Sequence, residues 1–319
     1  MSSIEGYRPS AAEISYNLSI MKGTVAKGRA VDPQFLDIFR EAVGHLPGPE
    51  QKPLNNEINT IGTNLNALLL KVDDTTKRTL FHPEERPLVG KQSKLGKMAD
   101  EYGQQSELGA NLRAIGNNFR CQRIRGDGHC QFRAISTGLL LACQNLSSEE
   151  KVQKIASIDR QIQALGPQAS QRLNAQKVAL FDAITNINPQ NAQALVSNKQ
   201  SSDDIVAFLR VLSVEYTRVK QGETFDQMAE AEGCTPDQYY ANMTNMNLAR
   251  EGGEAELQAL AMTLGIPIYV HDSTIYAAGS EDHIREYNSA SDEPIVDLLY
   301  RPGHFDLLIE KQHNDYLVV

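Results

Sequence analysis

Tryptophan is absent from the 319 residues, and cysteine is scarce, with four residues at positions 121, 130, 143 and 234. Their wide spacing contains no C-x-x-C pair, which argues against a zinc module and against a disulfide framework. The expectation is a reducing compartment with thiols available for chemistry. Basic residues are outnumbered: 31 Lys and Arg stand against 40 Asp and Glu, a formal net charge of −9. A general nucleic-acid binder needs a basic field to engage phosphates, so nucleic acid is not an expected partner. No apolar run approaches the ~20 residues of a membrane span. The opening stretch MSSIEGYRPSAAEIS has no basic segment followed by an apolar one, so no secretory signal is expected. What is present is an ordinary globular balance, 41% hydrophobic and 22% charged, in a length that suits one large domain or one domain plus an extra lobe.

Periodicity supplies the organisation. Phe35, Ile38, Phe39 and Val43 space a helix over 33–46, which Pro47 and Pro49 interrupt, and Ile58, Ile61, Leu65, Leu68 and Val72 space another over 54–72. Residues 73–93 are charged and read as a connector. A short helix from Ser106 carries Leu108, Leu112 and Ile115, with Gly116 at its end. The strongest apolar helix starts at Cys130 and runs through Phe132, Ile135, Leu139 and Leu140. Residues 147–200 are rich in Gln, Ala and Asn. They space as two helices, Val152 to Leu165 and, after Pro167, Leu173 to Ile184, and read as an inserted helical lobe. Ser202 is placed to cap a helix over 203–218. Glu254 to Leu264 is a helix closed by Gly265, with Glu254 and Glu256 in its first turn, where acidic side chains complement the helix dipole. Short β runs then follow at 266–270, 274–276, 284–287, 295–300 and 305–309. Helices first and strands late predict an α+β or layered α/β domain.

The stretch RGDGHCQFRA, residues 125–134, concentrates the chemistry. Gly126-Asp127-Gly128 folds readily as a tight loop, since glycine accepts positive φ. A cysteine at the start of the following helix meets unpaired N–H groups and the positive end of the helix dipole, both of which favour a thiolate. The loop amides are also the kind of donor that an acyl-transfer oxyanion needs. His129 adjoins Cys130 but is a poor base for it, because consecutive side chains point apart. A loop-surface or substrate-contacting place is the expectation for His129.

The better base stands in LLYRPGHFDLLI, residues 298–309, which reads as two β runs joined at Pro302-Gly303. In a strand, i and i+2 share a face, so His304 and Asp306 point the same way. An aspartate there can accept the imidazole N–H and fix its tautomer. Tyr300 and Arg301 either line the channel or pack the strand end. His271, Asp272 and His283 offer no evident ligand set with His304, so no metal and no cofactor are expected.

These residues carry a resemblance. Asp127-Gly-His-Cys130-Gln-Phe-Arg133-Ala resembles the D-G-N-C-F-x-R-A signature of the ovarian-tumour (OTU) cysteine deubiquitinases. DDIVAFLRVLSVEY at 203–216, EAELQALAMTLGIPIYV at 254–270 and LLYRPGHFDLL at 298–308 resemble otubain blocks in the same order. The resemblance spans about 94–310. It implies a papain-like OTU fold, a small mostly antiparallel sheet between helical layers. The catalytic domain would be 94–319, with the lobe at 147–200 inserted, behind an N-terminal helical extension at 1–93. It implies Cys130 as nucleophile, His304 as general base and Asp306 as orienting acid, with Asp127 and the amides of Gly128 and Cys130 shaping the oxyanion hole. His129 and Gln131 depart from the signature, which bears on substrate preference more than on catalysis. The implied function is a cofactor-free thiol isopeptidase acting on ubiquitin and polyubiquitin, as a cytoplasmic monomer. The style of the insertions resembles bacterial members, for which export into a host cytosol would follow. The rival readings are an OTU-like binding module that does not cleave, and a thiol hydrolase acting on another ubiquitin-like modifier.

Overall fold

A computed structural model of the chain describes residues 43–69, 87–101, 107–248, 252–275, 284–290, 293–301 and 303–311, with isolated positions between 11 and 40. The expectations for 73–86, Val72, Tyr276, His283 and Pro302 fall outside these residues. Contacts divide the chain into two compact units, Met1–Arg86 and Pro87–Val319.

The first unit has its own core of Ile14, Leu18, Leu36, Val43, Leu54, Ile58 and Ile61. Its helix α1, Gly48–Leu69, starts six residues before the expected 54. Pro49 does not break it, because the first turn of a helix has N–H groups without intrahelical acceptors and a proline there loses nothing.

The second unit is built on a six-stranded sheet: β1 (Val89–Lys94), β2 (Phe119–Ile124), β3 (Ile268–Asp272), β4 (Ile284–Tyr287), β5 (Val296–Arg301) and β6 (His304–Glu310). The order across it is β1-β2-β6-β5-β3-β4, and only β3 with β5 runs parallel. β1 lies in what the sequence presents as connector, and β2 was not expected. Thr274 and Ile275, expected in a strand, form a turn after β3. Asp272 Oδ1 accepts from the Thr274 N–H at 2.9 Å and from its hydroxyl at 2.6 Å, folding the chain back as an Asx turn.

After α1 come α2 (Leu95–Glu101), α3 (Glu107–Ile115), α4 (Cys130–Cys143), α5 (Ser148–Gln163), α6 (Pro167–Asn174), α7 (Lys177–Asn186) and α8 (Ala192–Ser197). Then follow α9 (Lys199–Lys220), α10 (Gly222–Ala231), α11 (Pro236–Thr244) and α12 (Glu254–Leu264). Those of the second unit, α2 to α12, cover its sheet on both faces. Alternation along the strands assigns the two sides: Leu298 and Leu307 enter the large core beneath α4, α9 and α12, while Leu299 and Leu308 join Leu95, Met98, Leu112 and Ile115 of α2 and α3.

The 147–200 region packs its helices into the large core. Ile158, Ile162, Leu173, Leu180 and Ile184 belong to the same large core as Phe132 and Ile135. Its second expected helix is two, α6 and α7, separated at Ala175-Gln176. Val152, counted on the apolar stripe, is 65% exposed, while Lys151 and Lys154 are buried with their amines on the carbonyls of Ile187 and Gly265. Long aliphatic stems let lysines fill such positions when the amine finds an acceptor. The capping assignment at Ser202 is also corrected. Asn198 caps α9 by accepting from the Ser201 N–H at 3.0 Å, and Ser202 lies buried inside the helix against Arg133.

Gly138 sets how closely α4 lies on the sheet. A Cβ there would come within 2.6 Å of Val296 Cγ1 and 3.1 Å of Leu307 Cδ1, and a β-branched valine cannot swing away. Gly138→Ala gains ~1 kcal/mol of helix propensity but is overpacked by about 1–3 kcal/mol. The expected net is a loss of about 1 kcal/mol, read as a lower urea midpoint at unchanged slope. A higher midpoint would show that α4 has room to lift.

Candidate active site

β2 runs beside β6, and the five residues after it, Arg125 to His129, carry the chain to the start of α4. This strand–loop–helix path delivers Cys130 next to the beginning of β6. Gly128 has φ +78°, the left-handed region that glycine enters without cost. Asp127 stiffens the loop: its Oδ1 accepts from the His129 N–H at 3.1 Å, and its Oδ2 accepts from Arg133 Nη2 at 2.8 Å. Arg133 is itself fully buried and also donates to Asp203 at 3.1 Å and to Ser202. His129, the residue before α4, makes no side-chain cap, so its side chain does not occupy the first-turn amides of α4.

Cys130 is buried, and its Sγ accepts from the Phe305 N–H at 3.5 Å. The Cys130 thiol interacts with His304 and favours its charged form, and His304 Nε2 lies 3.0 Å from Asp306 Oδ1. An ionised carboxylate only accepts, so Nε2 carries a proton and Nδ1 is left for the thiol. The i, i+2 strand relation expected of His304 and Asp306 is thus realised in a direct bond.

Asp306 is fully buried and takes four hydrogen bonds. Oδ1 accepts from Ile124 N at 2.9 Å and from His304, and Oδ2 accepts from Arg301 Nε at 2.9 Å and Nη2 at 2.6 Å. Burial alone pushes a carboxyl up. The Arg301 guanidinium, the His304 bond and charge, and the Ile124 amide outweigh it and hold Asp306 well below the usual carboxylate range. His304 shows the reverse balance. Burial pushes it down, but the bonds to Asp306 and Cys130 and the Asp306 charge win over Arg301 and raise it from 6.5 to about 9. The ring therefore holds a second proton readily at neutral pH, which places a positive charge against the sulfur.

Arg301 is engaged with Asp306. Strand register explains it: Arg301 pairs with His304 across β5 and β6, and Asp306 is the diagonal neighbour on the same face. Tyr300 packs its ring on Phe305, with centroids 5.2 Å apart, beneath the Arg285 guanidinium at 5.6 Å. His129 is not on the loop surface: it is 8% exposed, with Nδ1 3.1 Å from Arg210 Nη1. Gln131 is 1% exposed and donates to the Gly253 carbonyl at 3.0 Å. Both departures from the family signature face inward and find partners there. His271, considered with metals, bonds Asp297 at 2.8 Å, and Glu256 caps α12 by accepting from Gly253 N at 2.7 Å. Glu254 pairs with Arg285. Sequence reasoning missed the Arg301 clamp on Asp306, although a two-residue hairpin at Pro302-Gly303 already implies that diagonal.

Such a site can carry out thiol-based acyl transfer. The nucleophile lies at a helix start, an imidazole of fixed tautomer bonds to it, and a carboxylate locked in the charged state orients the imidazole.

Comparisons with known proteins agree with this chemistry. The chain is 24% identical to human "Ubiquitin thioesterase OTUB1" over 234 residues, covering 70% of this chain and 83% of that protein. It is 24% identical to the Caenorhabditis briggsae "Ubiquitin thioesterase otubain-like" over 256 residues, covering 75% and 87%. In fold it matches the solved complex of h/ceOTUB1 with ubiquitin aldehyde and UBC13~Ub at a TM-score of 0.59 and 20% identity, over 77% of this chain and 98% of that one. The family described as Peptidase C65 Otubain matches residues 82–310, which contain Cys130, His304 and Asp306 together with Ile124, Arg301 and Phe305 that bond to them. With most of its length matched and the thiol, imidazole and carboxylate assembled in one place, the chain belongs to the otubain family of cysteine peptidases.

Proposed function

We propose that this chain is a deubiquitinase, a thiol isopeptidase that hydrolyses the bond between the C-terminal glycine of ubiquitin and a lysine of polyubiquitin or of a modified protein. The observation that carries the reading is the Cys130–His304–Asp306 assembly, held by Arg301 and Ile124, in an otubain chain. In the first half-reaction Cys130 Sγ attacks the glycine carbonyl. Amides of Gly128 and Cys130 receive the developing oxyanion, and His304 protonates the departing lysine amine. In the second, His304 takes a proton from water, hydroxide adds to the thioester, and the thiol leaves with the proton returned. Asp306 stays charged throughout and keeps the ring in register. Asp127 supports the loop through His129 N and Arg133.

Ubiquitin is the substrate class because both named relatives are ubiquitin thioesterases. The net charge of −9 suits a partner with a basic face. The four cysteines are free thiols, as a reducing cytosol would keep them. Among the described residues no helix is long and apolar enough to cross a membrane.

The test is labelling with a ubiquitin C-terminal electrophile beside a panel of ubiquitin-like probes. The wild type is expected to form one adduct with the ubiquitin probe and Cys130→Ala none. Equal labelling of Cys130→Ala overturns the site, and preference for another modifier overturns the substrate. Ubiquitin binding without adduct or cleavage of any di-ubiquitin would instead support a non-catalytic module.

A further inference from the structure

Arg210 lies in the middle of α9 and has no solvent exposure. A buried guanidinium is costly unless its donors are used, and Nε and Nη1 of this one reach three segments. Nε donates to the Met243 carbonyl at 2.6 Å, and Nη1 donates to the Leu248 carbonyl at 3.1 Å. The same Nη1 lies 3.1 Å from His129 Nδ1, and the guanidinium carbon sits 5.9 Å from the centre of the Phe132 ring. His129 precedes the nucleophile, and Phe132 is on the first turn of α4. Met243 and Leu248 end α11 and open the connection to α12, whose start receives Gln131.

The chemistry of the contact fixes a proton. Arginine only donates, so Nδ1 of His129 must accept, and the neutral ring carries its hydrogen on Nε2. A doubly protonated ring would set a second donor against the guanidinium. Asp203 stands seven residues before Arg210, two turns along the same helix face. There it meets Arg133, which in turn holds Asp127. α9 thus grips the nucleophile loop at two points, one on each side of Gly128.

We propose that Arg210 is a positioning residue for the reaction: through His129 it holds the loop before Cys130 in one conformation and ties that loop to the α11–α12 connection. The proposal rests on the deubiquitinase reading for its kinetic arm but not for its spectroscopic one. Four charged groups act on His129: Asp127 and Asp203 favour its protonation, and Arg210 and Arg133 oppose it. Burial, the largest influence, also opposes it, and the balance keeps the ring neutral. Without Arg210 one of the two opposing cations is gone, so protonation of His129 sets in at higher pH.

The experiment uses the full chain with 15N-labelled histidine. Wild type, Arg210→Met and Arg210→Lys are compared in ring-nitrogen shifts without ubiquitin and in di-ubiquitin cleavage across pH. In the wild type the His129 ring is expected as the Nε2–H tautomer. In either variant the tautomer preference is expected to be lost. kcat is then expected to fall about tenfold, the scale of a lost charge-assisted hydrogen bond, with KM little changed. In Arg210→Met, which removes the cation, the acid limb of kcat is expected to move to higher pH, and adding His129→Asn to that variant is expected to remove the movement. If Arg210→Met does not fold, Arg210→Lys decides, because it keeps the charge but cannot serve three acceptors. A wild-type Nδ1–H tautomer overturns the proposal. So does a variant whose ring shifts and kcat–pH profile match the wild type, or one whose loss lies in KM alone. If the wild type cleaves no ubiquitin substrate, the function reading fails while the ring shifts still decide the contact.

Discussion

Replacing His304 with alanine is expected to lower kcat on di-ubiquitin by about ten-thousandfold, the scale on which a triad member acts, while ubiquitin binding persists. Among the described residues His304 links Cys130 with Asp306, and the proposed mechanism gives it two successive jobs, proton donor to the lysine amine and acceptor from water. His129→Ala, one residue from the sulfur, is expected to retain far more activity, since its ring faces Arg210 and bonds neither Cys130 nor Asp306. A His129→Ala loss as severe as that of His304→Ala would return the basic role to the neighbour. The pH profile carries the same assignment. His304 is raised to about 9, so the imidazolium that protonates the leaving amine is depleted above that pH. Isopeptidase turnover is expected to decline through about pH 9 on its alkaline side. A decline beginning near the ordinary histidine value of 6.5 would mean that Asp306 and Cys130 do not hold the proton there.

Much of this site is legible in the residues because its chemistry is local. G-D-G before a cysteine and an apolar helix specifies a turn, a helix start and a thiol between them. H-x-D in a β run specifies two side chains on one face, and the 3.0 Å contact between His304 and Asp306 follows directly. What was not legible depends on pairing between distant segments. β1 and β2 read poorly because they are short and carry Lys, Gln and Arg. Gln122 is buried yet polar, and its Nε2 donates to the Gly90 carbonyl and to Oε1 of Gln193 from α8. No hydropathy pattern announces a strand built that way. The role of Arg301 needed the register of β5 on β6. The inward turn of His129 needed Arg210, 81 residues later. Residues 147–200 looked like an addition because their composition is unlike the rest, but composition describes the exposed face of a helix. Ile158, Ile162, Leu180 and Ile184 are on the other face, in the common core.

Asp306→Ala is expected to damage stability and activity together, with opposite signatures at the two ends of the pH range. Its carboxylate is fully buried and answers two donors of Arg301, the Nε2–H of His304 and the Ile124 amide. Removal breaks the buried Asp306–Arg301 pair, a loss of about 3–5 kcal/mol. The folded state holds Asp306 below its unfolded value of 3.8, so it contributes stability above that pH and loses it as pH falls through the folded value. His304 is the opposite case: raised from 6.5 to about 9, its contribution is complete below 6.5 and is lost as pH rises through 9. Asp306→Ala removes both at once. Its unfolding free energy in urea is therefore expected to lie below wild type by the most between about pH 5 and 6.5, and the two curves to converge toward pH 2 and, less completely, toward pH 10. Activity is expected to fall, and the alkaline limb of what remains to shift below 9, because burial is then opposed only by the Cys130 bond. Asp306→Asn separates geometry from charge. It keeps an acceptor for His304 Nε2–H but removes the anion, so a near-normal alkaline limb in that variant would show that hydrogen bonding alone, and not the buried charge, sets the proton affinity of His304.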